Sequence, residues 1–408
     1  MRIGVQEIDP GRRTLAEYEA VAGEPLRELA EPLAKPFAGA RVVHVSAGGA
    51  GGRVAEMLRS VVPLTADAGS DVRWFTVFGD FEGVGRQLRD GLQGAETAIG
   101  DAEWADYLDA LAGAARELPE ADVLVLHDPE MLGLPVDGDA KSIWRCHLDV
   151  SDPDPDAWER ARPLAEACTD RVYALRDFAP PGEGEHAPFV EPGIDPLGPK
   201  NTKLPPAVAG GLLRSLGVDL TRPLVCHAGR FDRWKDPQGV IDAFRVARDE
   251  LPELQLVMAG ALAGDSPEDW GVLGEITEYA EGTGDVHVLT SFTGLGAAEV
   301  NALQRVARVL VHRSLNEGFG LVASEALWKD TPVVAQPHGG IPVQVRDGSE
   351  GHLAESVEEA GLRIAELVRD PGAAIEMGRE GRGRVRERFL VTRVALDELA
   401  LLAATVGA

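Results

Sequence analysis

The sequence predicts an α/β protein of two domains, each a mostly parallel sheet flanked by helices. Three observations carry that expectation. The chain has 408 residues, more than one hydrophobic core usually serves. Short apolar runs alternate with longer segments of helical periodicity, which is the pattern of βαβ units. At PGIDPLGPKNTKLPP (192–206) the periodicity gives way to a Pro-, Asn- and Lys-rich stretch, and a second alternating series follows it.

In the first series ARVVHVSAGG (40–49), DVRWFTVFG (71–79), ADVLVLHDP (121–129) and KSIWRCHLDV (141–150) are predicted strands ending in polar or glycine turns. A helix over VAEMLRSVVPLTADAG (54–69) separates the first two, and RVYALRD (171–177) and HAPFVEPG (186–193) add two more strands. The second series comprises PLVCHAGR (223–230), LQLVMAG (254–260), DVHVLTS (285–291), RVLVHRS (308–314) and TPVVAQP (331–337). The last segment, GRGRVRERFLVTRVALDELALLAATVGA (381–408), is patterned as an amphipathic helix that docks on a domain surface. This organisation implies two Rossmann-like domains with a cleft between them, and ligands bind beyond the carboxyl ends of strands in such sheets.

Charge narrows the partners. A formal net charge of −27 excludes nucleic acid and anionic membrane as targets, so a phosphate ligand must be held by a local cationic cluster. That charge also implies self-repulsion in the folded state. The melting temperature is therefore expected to rise with added salt from low to roughly physiological ionic strength, and a flat or falling series would show the charge too dispersed to matter. The three cysteines, Cys146, Cys168 and Cys226, form no C-x-x-C, which argues against zinc and disulfides and for a reducing cytoplasm. The N-terminal residues lack an apolar signal region, and no run reaches the roughly 18 apolar residues of a membrane span. A cytoplasmic protein is expected.

Five motifs stand at predicted strand ends. NEGFGLVASE (316–325) sets Glu317 and Glu325 eight residues apart. Gly318 and Gly320 keep the first acid in a loop, so a helix is predicted from Leu321, with Glu325 in its second turn. The backbone N–H groups of Phe319, Gly320 and Leu321 lie between the acids as an anion cradle. Two acids around such a cradle suit a ligand bearing hydroxyls and phosphate. SAGGAGGRVAEML (46–58) places Gly51, Gly52 and Arg53 between a strand and a helix, either as a tight turn or as a loop that approaches a ligand closely. HAGRFDRWKDP (227–237) offers Gly229, Arg230 and Lys235 on one loop, two solvated cations or a clamp for a departing diphosphate. LHDPE (126–130) and WRCHLD (144–149) end adjacent strands with His127 and with Arg145, His147 and Asp149. Histidines so placed either hydrogen-bond sugar hydroxyls or shield a developing charge, or are satisfied structural residues, the commoner case for a lone one. DPDPD (152–156) is a surface turn, and no metal site is readable.

Together these residues carry a resemblance. The chain resembles the retaining GT-B glycosyltransferases of glycosyltransferase family four, marked by the acid–seven–acid spacing of Glu317 and Glu325. The blocks WRCHLDVSDPD, FVEPGIDPLGPKN, GRFDRWKDPQGVIDAFR and SLNEGFGLVASEALWKDTPVVAQPHGGIP are similar to the trehalose glycosyltransferring branch. The resemblance implies two Rossmann-like domains facing a central cleft. The first, acceptor-side domain would span 1–200 with a C-terminal helix, 386–408, crossing back to it, and the donor domain 207–385. It implies transfer of glucose from a nucleoside diphosphate glucose (UDP- or ADP-glucose) to glucose, giving an α,α-1,1 linkage, with no tightly bound cofactor and no obligatory metal.

The implied roles are residue-specific. Arg230 and Lys235 would hold the donor diphosphate, with Glu317 against the donor sugar, Glu325 on the ribose and the Phe319–Leu321 backbone on phosphate. His127 would line the sugar side, with Arg145, His147 and Asp149 near donor or acceptor sugar. Where the family loop has a third glycine, this chain has Arg53, which alters the sugar pose or adds a phosphate contact. A retaining trehalose phosphorylase, a transferase for a specialised-metabolite acceptor, and a non-catalytic sugar-nucleotide-binding protein are the other readings. Assembly into a homo-oligomer is left open by the sequence.

Overall fold

The computed structural model describes residues 3–48, 52–136, 138–184, 186–261 and 267–407. The chain divides into two compact units, Met1–Gly193 with Leu390–Ala408, and Ile194–Phe389. The break at Gly193–Ile194 lies upstream of residue 200 because the segment after it is tied to the second unit. Asn301 Nδ2 donates to the carbonyls of Pro199 and Thr202, and Arg305 donates to those of Asn201 and Thr202.

The first unit is built on strands β1 (Ile3–Glu7), β2 (Arg41–Ala47), β3 (Asp71–Gly79), β4 (Val123–His127), β5 (Lys141–Cys146) and β6 (Asp170–Tyr173). Their spatial order is β1-β3-β2-β4-β5-β6, with β1 antiparallel to β3 and the rest parallel. Val43, Val45, Leu124, Leu126 and Trp144 project from central strands into a core closed by Leu88, Leu111 and Tyr107 of the covering helices. Such near-continuous apolar strands are what a sheet buried on both faces requires.

The second unit carries β7 (Leu224–Arg230), β8 (Gln255–Ala261), β9 (Val286–Leu289), β10 (Val309–His312), β11 (Val333–Ala335) and β12 (Gly351–Leu353), in the order β12-β11-β10-β7-β8-β9, all parallel. Its core gathers Val225, Leu256, Met258, Val309 and Val311 against Ile241, Phe244 and Ile364.

Three sequence expectations change. The segment 186–193 makes no strand, only one bridge between Tyr173 and Phe189, because its prolines leave too few donors for a ladder. The strands β1 and β12 were not anticipated, each being too short or too polar to announce itself. The C-terminal segment is two helices, Pro371–Arg388 and Val391–Gly407, parted at Phe389–Leu390. There Phe389 is fully buried and its carbonyl accepts from Ile194 N at 2.8 Å, which pulls that carbonyl out of the helical ladder. The last helix packs in the first unit against the helices Leu26–Ala34 and Arg53–Asp67. Among the described residues no helix is long and apolar enough to cross a membrane.

Candidate active site

In each unit the polar cluster lies where strand order reverses, the place at which open α/β sheets leave a crevice at their carboxyl ends. In the second unit the reversal falls between β7 and its neighbour β10. At the end of β7, Arg230 is largely exposed and pairs with Asp232 at 3.2 Å. The Asp232 carboxylate accepts from Lys235 N at 3.1 Å and so folds the one-turn helix Arg233–Lys235 that aims the lysine. Asp236, at φ 44°, then caps the helix Pro237–Glu250 by accepting from Gly239 N at 3.0 Å.

After β10 the chain brings Glu317 to that lysine. Lys235 Nζ lies 2.5 Å from Glu317 Oε2, and the same oxygen is 2.6 Å from His312 Nε2 and 2.9 Å from Ser314 Oγ. Burial pushes the Glu317 carboxyl up, but the His312 hydrogen bond and the charge of Lys235 outweigh it and hold the group well below the usual carboxylate range. The two loops are laced together by Leu315 N donating to Trp234 O at 2.7 Å and by Arg313 Nε on Asp236 Oδ2 at 3.3 Å.

The helix Leu321–Leu327 begins where the glycines place it, with Gly320 at φ 77° as its N-cap. A side chain at Gly320 would meet the Ile341 side chain, and one at Gly339, φ 56°, would run into the carbonyls of Glu317 and Gly318. Gln344 braces the turn, accepting from Ser324 N at 3.1 Å and donating to the carbonyls of Phe319 and Gly340. The Phe319 side chain is fully buried against Phe389, so only its backbone is available to a ligand. The N–H groups of Leu321 and Val322, in the first turn, have no intrahelical acceptor. Gly229 is part of β7 and Gly318 accepts from Gly340 N at 2.8 Å.

Glu325 sits in the second helical turn, half-buried beside Gln304 Nε2 at 3.4 Å. Four residues on, Lys329 Nζ donates to Glu325 O and to Asn201 Oδ1, both at 2.7 Å. Burial brings the Lys329 ammonium down to about 7, against the pull of Glu325. The structure therefore joins Lys235 to Glu317 directly and adds His312, Ser314 and Lys329. Sequence reasoning passed over these three, although RVLVHRSLNEGFG contains the first two and the Glu325-x-x-x-Lys329 step the third.

In the first unit the reversal falls between β2 and β4. Gly52 is the N-cap of the helix Arg53–Asp67, and Arg53 is exposed as its first residue, while Gly51 lies outside the described residues. Asp128, at φ 61°, is half-buried; burial raises its carboxyl against the opposing charge of Arg53 and the hydrogen bond from His147 N at 3.1 Å. Burial and Asp128 push the neighbouring Glu130 up to about 7 despite its pairing with Arg89.

The histidines form a chain. His44 Nδ1 lies 3.0 Å from His127 Nε2, and His127 Nδ1 lies 2.9 Å from His147 Nε2, with the rings stacked at centroid separations of 5.3 and 5.2 Å. His127, expected to line a ligand site, is thus an interior link 1% exposed with both ring nitrogens engaged. Arg145, expected on the sugar side, is drawn inward to a buried ion pair with Glu398 of the last helix. Asp149 is turned onto its own loop, accepting from Ser151 N at 3.0 Å and Ser151 Oγ at 2.6 Å. Asp154 of the DPDPD turn caps the helix Pro155–Ala167. Of the first-unit candidates, Arg53 is exposed, and His147 Nδ1 makes no hydrogen bond among the described residues.

Comparison with known proteins covers both units. Residues 44–180 match the family model described as trehalose synthase, N-terminal domain, and residues 212–384 match glycosyl transferases group 1. A trehalose synthase of Rubrobacter xylanophilus is 39% identical over 99% of this chain and 100% of its own length. One from Pyrococcus horikoshii is 34% identical over 96% of this chain and 97% of its own. Among solved structures, sucrose-phosphate synthase of Thermosynechococcus elongatus superposes with a TM-score of 0.69 at 19% identity, covering 89% of this chain and 98% of its own. Anabaena HepE, solved with UDP and glucose, gives 0.66 at 15% identity, covering 90% and 100%. With full-length similarity to named synthases and two Rossmann-like units, the chain is a GT-B glycosyltransferase and belongs to the trehalose synthase family.

Proposed function

We propose that the protein transfers glucose from a nucleoside diphosphate glucose to free glucose with retention of configuration, forming trehalose. The observation that carries this reading is the Lys235–Glu317 pair at the carboxyl ends of β7 and β10, just ahead of the helix that carries Glu325. An ammonium has three donors, and the Glu317 contact uses one of them, so two remain for diphosphate oxygens. Arg230 on the same loop and the N–H groups opening the helix at Leu321 add positive potential where the leaving charge develops, the largest contribution in most such sites. In this reading the acceptor hydroxyl approaches the anomeric carbon on the face the diphosphate leaves, and the departing oxygen takes its proton. Glu317, kept ionised by Lys235 and His312, orients the donor sugar's hydroxyls, and Glu325 takes the ribose. Arg53 and His147 are assigned to the sugar side. Charge neutralisation falls to side chains, so neither metal nor resident cofactor is invoked. The cytoplasmic setting is supported by three cysteines that are all free and buried.

The kinetic roles of the two glutamates separate. Glu325→Ala is expected mainly to raise the donor KM, as loss of uniform ribose binding does, whereas Glu317→Ala is expected mainly to lower kcat. Steady-state kinetics with the reverse pattern would overturn the division.

Thermal protection distinguishes a nucleotide-using enzyme from one using inorganic phosphate. Glu325 lies too far along its helix to serve a lone phosphate at Leu321, whereas a nucleoside diphosphate extends to it. ADP, UDP or GDP should stabilise the protein by RT ln(1 + [L]/Kd), about 2.7 kcal/mol at a hundredfold excess over Kd, and phosphate should give little. Melting curves with each, followed by incubation with nucleotide glucoses and free glucose and assignment of product linkage by NMR, test the reading. Protection and trehalose cleavage by phosphate alone would replace it with a phosphorylase.

A further inference from the structure

The imidazole chain ends on two buried atoms that face each other without a partner. His44 Nε2 and Glu398 Oε1 both lack a hydrogen bond, and they lie 3.8 Å apart, a gap that a small side-chain rotation closes. At the other end His147 is the most accessible of the three, 6% exposed against 0% for His44 and 1% for His127. Its Nε2 faces His127, and its Nδ1 makes no hydrogen bond among the described residues. Burial keeps the chain neutral: it brings His44 down to about 4 and holds His127 and His147 well below the usual imidazole range, in His147 with help from Arg145 and Arg53.

Neutral imidazoles linked nitrogen to nitrogen carry one proton per link, so the whole chain has one of two polarities. Arg145 donates to Glu398 Oε2, which fixes that carboxyl as an acceptor and leaves Oε1 toward His44. A proton on His44 Nε2 satisfies both orphans, whereas a lone pair there would oppose a carboxylate oxygen. His44 Nδ1 must then accept from His127 Nε2, and His127 Nδ1 must accept from His147 Nε2. His147 is left with its Nδ1 bare.

We propose that Glu398, through Arg145 and the stacked His44–His127–His147 chain, is a positioning residue that fixes the tautomer of His147 so that Nδ1 accepts a hydrogen bond from a sugar hydroxyl at this strand end. The charged groups around the chain are Glu398 and Arg145 at one end and Asp128 and Arg53 at the other. Asp128 accepts from the backbone N–H of His147 rather than from its ring, so it does not compete for the tautomer. The catalytic part of the proposal rests on the glucosyltransferase reading above; the tautomer assignment does not.

The test is long-range 1H–15N correlation spectroscopy of the full-length protein labelled at histidine, with His44, His127 and His147 assigned by single substitutions. All three rings should carry the proton on Nε2. In Glu398→Gln the amide oxygen must face Arg145, a donor-only group, so the NH2 turns to His44 and all three rings should switch to Nδ1–H. Glu398→Asp should keep the wild-type pattern. Glucosyl transfer by Glu398→Gln should fall roughly tenfold or more in kcat, with the nucleotide KM little changed, because His147 then offers a donor where the hydroxyl needs an acceptor. An Nδ1 proton on His147 in the wild-type protein overturns the proposal, and that spectrum decides even if Glu398→Gln fails to fold. A switched tautomer with unchanged kcat overturns the catalytic part. Absence of glucosyl transfer by the wild-type protein, with the expected spectrum, would instead reject the transferase reading.

Discussion

Lys235→Ala is expected to lower kcat by about 10²-fold or more, the loss that follows removal of one charge-stabilising donor from a catalytic site. The lysine is held on three sides. Its backbone N–H is taken by Asp232, its ammonium meets Glu317, and only 16% of its side chain is exposed. A charge so placed reorganises little as the diphosphate departs, which is why it should act on turnover more than on binding. Lys235→Arg would not restore the rate fully, since a planar guanidinium cannot occupy the point contact at Glu317 while reaching a phosphate. Glu317 keeps His312 and Ser314 in the variant, so the loop should stay folded. Purified, folded Lys235→Ala with near-wild-type turnover would remove the lysine from the mechanism.

The second large effect is on stability. Arg145→Ala should cost about 3–5 kcal/mol, because it leaves the Glu398 carboxylate buried without its counter-ion. Both side chains are at most 2% exposed, so water cannot replace the lost partner. For a unit of this size the melting temperature should fall by roughly 6–20 °C. Calorimetry reads this directly, and a shift of a degree or less would show that the pair is dispensable to the fold. Replacing both partners together with apolar residues should recover much of the loss, since the penalty belongs to the orphaned charge and not to the absent bond.

What was legible in the sequence follows a physical rule. Strands buried on both faces, such as VVHVS and VLVLH, advertise themselves as apolar runs, and glycine turns mark their ends. Gly320 announced the start of its helix because few other residues adopt its backbone conformation. The edge strand β1, only five residues long with a glycine and two adjacent polar residues, carried no such signal, and neither did the three-residue β12. Local motifs likewise placed Lys235 and Glu317 at strand ends, but not in contact, since 82 residues separate them. The histidine chain was least legible. His44, His127 and His147 look like isolated residues, and Glu398 lies 253 positions from its partner Arg145, so only the fold brings them together. The expectation that His127 faces a ligand followed from its strand-end position. Position along the strand was right, and the neighbour that covers it was invisible.

The last helix has a consequence for how the polypeptide is made. A ribosome delivers residues in order, and N-terminal domains ordinarily finish folding first. Here residues 1–193 emerge without the segment that completes them, because Val394, Leu399, Leu402 and Glu398 of the helix Val391–Gly407 fill their core. The continuous stretch 194–389 has all its own parts as soon as it is synthesised. The second unit can therefore reach its native state while the first still waits. Until the last helix arrives, Arg145 has no counter-ion, His44 has no acceptor, and the nascent first unit exposes an apolar groove that chaperones are built to cover.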